Sequence, residues 1–291
     1  MRVIAGLLLL ALAAPVAATC PLAGQDRAAL QALKAGGFVV GDAADRRALA
    51  IALLPCLAAT DPALRDGIGY EALSTWMRAG AFNADTLREL RDLLDGQLKV
   101  PDPHGVLHPF AALVLSEVAR TDRIAAWMSA DEREQMLADA LAYLAGVSDY
   151  RGFEDGIGWR HGVAHGADWL LQLALNPALQ PAQLQRVLDA VALQAVPEQG
   201  HAYVFGEPAR LARPVAVVAR RSVLDDAGWQ AWLQGLRSRL GPMPAGGDAR
   251  WLRRQHDLDA FLSALYIEAD ASQNPALQQL KPAIAKARAD Q

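Results

Sequence analysis

The sequence predicts an all-α fold, an α-solenoid in which antiparallel helix pairs stack one on the next. Helix start signals recur almost without interruption after Gln25, and runs of alternating β-branched residues are missing. The connections between the predicted helices are short and rich in Gly, Pro and Asp, which favours antiparallel neighbours over long crossovers. With 53% hydrophobic residues, the 291-residue chain can bury a large core.

Capping residues mark the starts of the predicted helices. Asp61 places a capping carboxylate ahead of the first-turn Pro62, and Asn83 caps the next apolar segment. Ser129 and Glu132 have the spacing of a capping box. Further helices are predicted at about 109–120, 181–196, 208–223, 225–240, 248–269 and 275–289.

A partial internal repeat adds limited support for the stacked arrangement. The segment 66–70 (DGIGY) is echoed by the segment 155–159 (DGIGW). The spacings between such echoes are irregular, unlike those of a regular repeat array. The solenoid prediction therefore depends mainly on the lengths of the helices and loops.

The N-terminal residues have the pattern of a secretory signal peptide. Arg2 precedes an apolar run over 3–14, and the small residues at 16–18 fit a cleavage site. We therefore expect a signal peptide at 1–18, a single helical-repeat domain at 19–291, and a secreted or periplasmic protein. No later stretch reaches the roughly 18 consecutive apolar residues of a membrane-spanning helix, so no transmembrane segment is predicted.

Cys20 and Cys56 are the two cysteines of the chain. In an oxidising compartment such a pair is expected to form a disulfide. A lipid anchor at Cys20 is an alternative, although Thr19 is bulkier than the residue expected before a lipidated cysteine. A second alternative is a buried Cys56 that packs as a small hydrophobic side chain.

The charge balance argues against nucleic acid as a partner. The sequence has 28 Lys and Arg against 32 Asp and Glu, and loss of Arg2 with the signal peptide makes the mature chain still more acidic. The G-x-S-x-G elbow, the phosphate-cradling G-x-x-x-x-G-K-[ST] loop and paired C-x-x-C motifs are missing from the sequence. Serine hydrolases, nucleotide enzymes and zinc ribbons are therefore disfavoured.

The densest run of unusual residues lies at 150–168. A glycine-rich loop carrying Arg151 and Glu154 is predicted to lead into a continuous helix over 159–175 that begins near Trp159. At 100° per residue, this helix would place four polar side chains on one narrow stripe. They are His161, His165, Asp168 and Gln172.

This run resembles that of the DUF2785 family, whose members carry R-G-F-x-x-G-x-G-W-x-H-x-x-A-H-x-A-D. The matching residues are Arg151-Gly152-Phe153, Gly156, Gly158-Trp159, His161, Ala164-His165 and Ala167-Asp168. The segment 61–73 also looks like the family's, and the likeness extends over about 58–197. The resemblance implies a HEAT-like helical fold, but it carries over no catalytic role because the family's function is not known.

Three interpretations of the polar stripe remain open. The first is a buried hydrogen-bonded network that fixes the packing of the helices. The second is a binding or scaffold module, without a cofactor, whose groove holds a peptide, a protein or a small ligand. Its groove residues are predicted to be Arg151, Glu154, Trp159, His161, His165 and Asp168.

The third interpretation is a metal-dependent hydrolase. His161, His165 and Asp168 would bind zinc, because two imidazoles one helical turn apart and a nearby carboxylate are suitable ligands. The glutamate of the H-E-x-x-H motif is missing, so Glu154 is the candidate general base, provided that the loop folds back over the stripe.

Overall fold

The computed structural model describes Cys20 and residues 26–289, and it confirms the all-α prediction. The predicted signal peptide at 1–18 lies outside the described residues. In chain order, the first seven α-helices of this part of the chain are α1 Arg27–Ala35, α2 Ala43–Leu53, α3 Pro62–Leu64, α4 Glu71–Arg78, α5 Ala84–Gln97, α6 Leu107–Ile124 and α7 Ala130–Gly146. After these come strands β1 Phe153–Glu154 and β2 Gly158–Trp159, then α8 Gly162–Ala174, α9 Pro181–Ala195, α10 Glu207–Arg220, α11 Asp226–Leu240, α12 Ala249–Ala271, α13 Pro275–Gln278 and α14 Lys281–Ala289.

The predicted capping residues start the helices as expected. The side chain of Asp61 accepts a hydrogen bond from the Ala63 amide at 2.8 Å, and that of Asn83 accepts one from the Thr86 amide at 2.9 Å. Ser129 and Glu132 form both bonds of the capping box at the start of α7. These local bonds satisfy amide groups that a helix leaves without intrahelical partners.

Two predicted helices are interrupted. Between α3 and α4 the chain makes one π-helical turn, Arg65–Tyr70. The predicted helix at 275–289 divides into α13 and α14. The π-helical turn lies at the centre of the candidate site described below, and such turns occur frequently at functional sites.

The longer helices pack in two layers. In one layer α6, α8, α10 and α12 lie side by side in chain order, and α4 packs on α6. In the other layer α7 packs on α9, while α5, α7 and α9 each also pack on the helix that follows them in the chain. Fully buried aliphatic side chains fill the core between the layers, among them Leu90, Leu115, Leu170, Val215 and Leu262.

The N-terminal region is tied to the helical body by a disulfide between Cys20 and Cys56, as predicted. Because the Cys20 sulfur is bonded to Cys56, it is not available for the thioether of a lipid anchor, so that alternative is wrong for this state of the chain. None of the described helices has both the length and the apolar character needed to span a bilayer.

Candidate functional site

The first half of the glycine-rich run forms a β-hairpin. Strands β1 and β2 pair antiparallel, with Phe153 opposite Trp159 and Glu154 opposite Gly158. The turn needs glycine because Gly156 and Gly158 have φ angles of 81° and 79°, in the left-handed region. The prediction of one continuous helix over 159–175 is therefore wrong: α8 begins at Gly162, after the hairpin.

His161 occupies an unusual position at the start of α8. Its backbone is left-handed, with φ 57° and ψ 38°, and its side chain makes no capping bond. The imidazole stacks on the Trp159 indole with ring centroids 4.1 Å apart and an interplanar angle of 7°. Among the described residues, its buried Nδ1 has no hydrogen-bond partner. A strained, non-glycine residue with an unused nitrogen is typical of a functional position.

The state of His161 at neutral pH follows from its surroundings. Burial, and then the nearby Arg210 guanidinium, lower the pKa of His161 to about 4. The imidazole is therefore neutral at neutral pH. In that state one ring nitrogen donates a hydrogen bond and the other accepts one. A neutral imidazole is therefore suited to bind a polar ligand group and not to act as a general acid.

Three exposed aromatic rings adjoin His161, and we call them the aromatic surface: Phe153, Trp159 and Phe205. Their exposed fractions are 46%, 40% and 36%. Phe153 and Phe205 both meet Trp159 edge to face, with ring centroids at 5.1 and 5.9 Å. Phe205 also lies against Gly152, where an added Cβ would come within 2.0 Å of its ring. Glycine at 152 therefore makes room for the third ring.

Arg65 holds the hairpin in place from the N-terminal side. This side chain is fully buried and donates hydrogen bonds to the carbonyls of Ile157 at 2.8 Å and Trp159 at 3.2 Å. Its guanidinium also lies over the Phe110 ring, 4.6 Å from the centroid. The two echoed segments, 66–70 and 155–159, thus differ in conformation, one π-helical and one a hairpin, and they meet at Arg65.

The rest of the polar stripe exists along α8, and its side chains are bound by the neighbouring helices. His165 is buried, and its Nδ1 donates to the Pro109 carbonyl at 3.0 Å. Asp168 accepts from Arg210 Nε at 2.9 Å. Gln172 accepts from Arg123 Nε at 3.1 Å. Burial lowers the pKa of His165 to about 3, so this imidazole stays neutral and serves the packing of α8 on α6.

The predicted zinc ligands do not assemble into a metal site. Arg210 neutralises the Asp168 carboxylate, and the Pro109 carbonyl occupies one nitrogen of His165. Within Cys20 and 26–289, no group of three His, Cys, Asp or Glu side chains is placed to hold a metal ion. The sequence missed this outcome because Arg210 lies 42 residues beyond Asp168 and carries no local signal.

Glu154 and Arg151 are paired with residues outside the stripe. Successive strand residues alternate between the two faces of a hairpin, so Glu154 lies on the face opposite Phe153 and Trp159. Its carboxylate accepts from Arg160 Nη2 at 2.7 Å. Arg151 is exposed and pairs with Asp149, with 2.8 Å between Nε and Oδ1. The proposed base role of Glu154 therefore has no geometric support. Of the other predicted groove residues, the rings of Trp159, His161 and His165 follow one another at 4.1 and 5.9 Å, while Asp168 pairs with Arg210.

A cluster of three polar side chains near the site, Tyr70, Arg78 and Glu117, was not predicted. Tyr70, at the end of the π-helical turn, donates from its hydroxyl to Glu117 Oε1 at 3.3 Å. Arg78 Nε donates to the same carboxylate at 3.1 Å. Burial, and then the Glu117 charge, raise the pKa of Tyr70. The one available sequence signal was a single carboxylate, Glu117, within the otherwise largely apolar run of α6.

The larger cavities lie away from this region. One of about 710 Å³ lies between α11 and α14, and another of about 360 Å³ is lined by residues of α4, α5 and α6. Neither contains a residue of the aromatic surface. The three exposed rings of the candidate site therefore lie outside both of these cavities.

Together these features define an all-α protein in which a hairpin and Phe205 form an aromatic surface next to the start of α8. The chain belongs to the family described as "Protein of unknown function (DUF2785)", whose model matches residues 94–267. The match includes the hairpin and α8, but the segment 61–73 lies outside it. No curated protein and no solved structure matches the chain.

Proposed function

We propose that this protein is an exported, HEAT-like helical-repeat protein that binds a peptide segment at the aromatic surface and His161, without turnover. The single observation that carries the proposal is the exposure of three contacting aromatic rings. Large aromatic side chains dominate the energetics of protein interfaces. An isolated exposed aromatic residue needs no explanation, whereas a contiguous group marks an interaction surface.

The support beneath these rings favours binding over a structural role. Arg65 fixes the hairpin backbone, and Gly152 leaves space for Phe205. A preorganised surface binds with a smaller loss of conformational entropy. The open shape favours an extended peptide, because small-molecule sites are usually concave and enclose most of the ligand.

The HEAT-like arrangement is supported by the order of the helices. Pairs α5–α6, α7–α8 and α9–α10 each place their second helix in the layer that also contains α12. Such stacking presents successive helices along one continuous face, which repeat proteins use for binding. The hairpin interrupts this order between α7 and α8 and carries two of the three rings of the aromatic surface.

Export is supported by two observations. The Cys20–Cys56 disulfide is a bond that persists in oxidising compartments. The N-terminal residues carry the signal-peptide pattern described above. We therefore propose that the protein is periplasmic or secreted, as a chain that begins near Thr19.

Fluorescence anisotropy with dye-labelled random decapeptides tests the proposal. Purified 19–291 is titrated into three pools of equal length, one acidic, one neutral and one basic. We expect saturable binding to at least one pool, and Trp159→Ala should weaken it by roughly 10- to 100-fold because it removes a central aromatic contact. The matched control is Ile267→Ala, which removes a side chain that is 66% exposed on α12.

Two outcomes contradict the proposal. One is that none of the three pools gives saturable binding. The other is that Trp159→Ala binds as the parent does, or is weakened no more than Ile267→Ala. A thermal melt of each variant shows whether the fold is retained.

A further inference from the structure

Arginines outnumber carboxylates where α6, α8 and α10 present their exposed faces. We call four of them the arginine row: Arg120, Arg123, Arg210 and Arg213. Arg123 reaches Gln172 from α6, and Arg210 reaches Asp168 from α10. Because Asp168 and Gln172 are one helical turn apart, two guanidinium groups approach the same stretch of α8 from opposite sides.

The positions of Arg120 and Arg213 follow from their neighbours. On α6, Glu117 faces α4 through Tyr70 and Arg123 faces α8, so Arg120 lies between them and is partly exposed. On α10, Arg210 faces α8, while Arg220 faces Glu268 of α12 at 3.9 Å. Arg213 lies between these two and is exposed. Both residues are therefore at least partly accessible to solvent.

The row carries more positive charge than its own acids balance. Asp168 is the one carboxylate paired with it among the described residues. Within that part of the chain, Arg120 and Arg213 have neither a hydrogen bond nor an ion pair. Burial and the adjacent Arg213 lower the pKa of Arg210, and burial and the adjacent Arg120 lower the pKa of Arg123. Neighbouring guanidinium groups on α6 and on α10 therefore repel each other, and an anionic ligand group would relieve that repulsion.

The arginine row borders the aromatic surface. The Arg210 charge acts on His161, which stacks directly on Trp159. The His161 ring also lies 5.9 Å from the ring of His165, which is one helical turn before Asp168 on the same side of α8. A ligand that contacts the aromatic rings therefore extends naturally along α8 toward the arginines.

We infer that the peptide bound at the aromatic surface is acidic, with carboxylates along the arginine row and an apolar side chain on the three rings. This inference rests on the proposed peptide binding. Planar guanidinium groups bind carboxylates through paired hydrogen bonds, and these charge-assisted bonds are stronger than neutral ones. A short peptide fits better than nucleic acid, because the net charge of the whole chain is -4 and repels a long polyanion.

The three labelled pools, acidic, neutral and basic, measure this preference directly. We expect the acidic pool to bind about tenfold more tightly than the neutral pool at 50 mM salt, and the difference to shrink at 500 mM salt because salt screens exposed charges. The double variant Arg120→Ala/Arg213→Ala should lose about tenfold in affinity for the acidic pool and little for the neutral pool. Its matched control is Lys99→Ala/Arg239→Ala, which removes two exposed cations outside α6, α8 and α10.

The outcomes separate this inference from the proposal beneath it. If no pool binds, peptide binding itself fails. If all pools bind equally and Trp159→Ala weakens each of them, peptide binding stands and the acidic preference is wrong. Equal losses in the double variant and its control also overturn the preference. So does a single-stranded oligonucleotide of ten nucleotides that displaces the acidic pool at lower concentration than unlabelled acidic peptide does. Circular dichroism melts check that each variant is folded, and Arg213→Glu provides a second variant at an exposed position.

Discussion

Helices α7 and α8 pack against each other, yet they begin in opposite ways. Helix α7 starts at an extended N-cap residue, Ser129, with both bonds of a capping box. Helix α8 starts at His161 in the left-handed conformation, without a side-chain cap. The N-terminal capping bonds are thus complete in α7, which contributes packing. They are missing in α8, which carries the candidate site and starts from a strained backbone conformation. Strain of this kind persists only where surrounding contacts hold it.

The contact that holds α8 comes from a distant part of the chain. Arg65 binds the carbonyl of Trp159, 94 residues away in sequence, and so fixes the residue on which His161 stacks. The corresponding bonds of α7 all lie within three residues. The comparison between the two helix starts therefore predicts that distant substitutions damage α8 and leave α7 intact.

The largest effect is expected from Arg65→Ala. The substitution leaves the carbonyls of Ile157 and Trp159 without their donor and Asp66 without its partner, and we expect the unfolding free energy to fall by about 3–5 kcal/mol. Urea denaturation measures this change. The control Arg47→Ala removes an exposed pair with Glu89 and should cost about 0–1 kcal/mol. Similar costs for the two variants would remove Arg65 as the support of the hairpin.

Removal of the disulfide is expected to have the next largest effect. Cys56 packs against Gly69 of the π-helical turn, where an added Cβ would lie 3.2 Å from the Cys56 Cβ. The bond closes a loop with a sequence separation of 36, so Cys20→Ser should lower the unfolding free energy by about 2–4 kcal/mol. Denaturation with and without reductant checks the value. Reductant should leave the variant unchanged, and an equal effect on variant and parent would contradict this account.

Asp257 offers a pH-dependent test of the loop that carries Phe205. Its buried carboxylate accepts from the Tyr203 amide at 2.7 Å, and burial raises its pKa to about 7. Because the pKa of Asp257 is higher in the folded protein than in the unfolded chain, the native state binds the proton more tightly. The stabilising contribution is therefore complete below about pH 4 and is lost as the pH rises through about 7.

Asp257→Asn keeps the acceptor oxygen and removes the titration. At pH 8 we expect the variant to be more stable than the parent by on the order of 1–3 kcal/mol, and at pH 5 the difference should be smaller. Taking the difference between parent and variant cancels the other titrating groups, including His161 and His165. A variant that is less stable than the parent at pH 8 would show that the carboxylate is paired there in its charged form.

The smallest effect on stability is expected at the two helix starts themselves. Ser129→Ala should lower the unfolding free energy by about 1 kcal/mol through loss of the cap. His161→Gly should change it by less than about 1 kcal/mol, because relief of the left-handed backbone offsets the lost stacking on Trp159. Urea denaturation compares the two, and anisotropy should show weaker peptide binding for His161→Gly alone. If His161→Gly lowered the unfolding free energy by several kcal/mol, the role of the imidazole would be to stabilise the fold.

Sequence reasoning succeeded where the determining contacts are local. The capping residues Asp61, Asn83 and Ser129 were found because their partners lie two or three residues away. The Cys20–Cys56 bond was found because the chain has no other cysteines. On α8, the polar stripe was correct from His165 onward, since helical periodicity alone places those side chains.

The errors arose where distant residues decide the outcome. Helix α8 was expected to start near Trp159, but Arg65 stabilises a hairpin there instead. Asp168 was predicted to bind zinc, but its carboxylate forms an ion pair with Arg210. Glu154 was assigned as a base, but the hairpin turns it to the opposite face, toward Arg160. The residues around Trp159, Asp168 and Glu154 give no sign in the sequence that Arg65, Arg210 and Arg160 will bind there.

The central claim, that the aromatic surface binds peptide, is tested most directly by the indole N–H resonances of isotope-labelled protein. As the acidic decapeptide pool is added, we expect the Trp159 resonance to shift and saturate. The Trp229 resonance, from a buried side chain on α11, should stay in place. A stationary Trp159 resonance, or equal shifts at both tryptophans, would contradict the account.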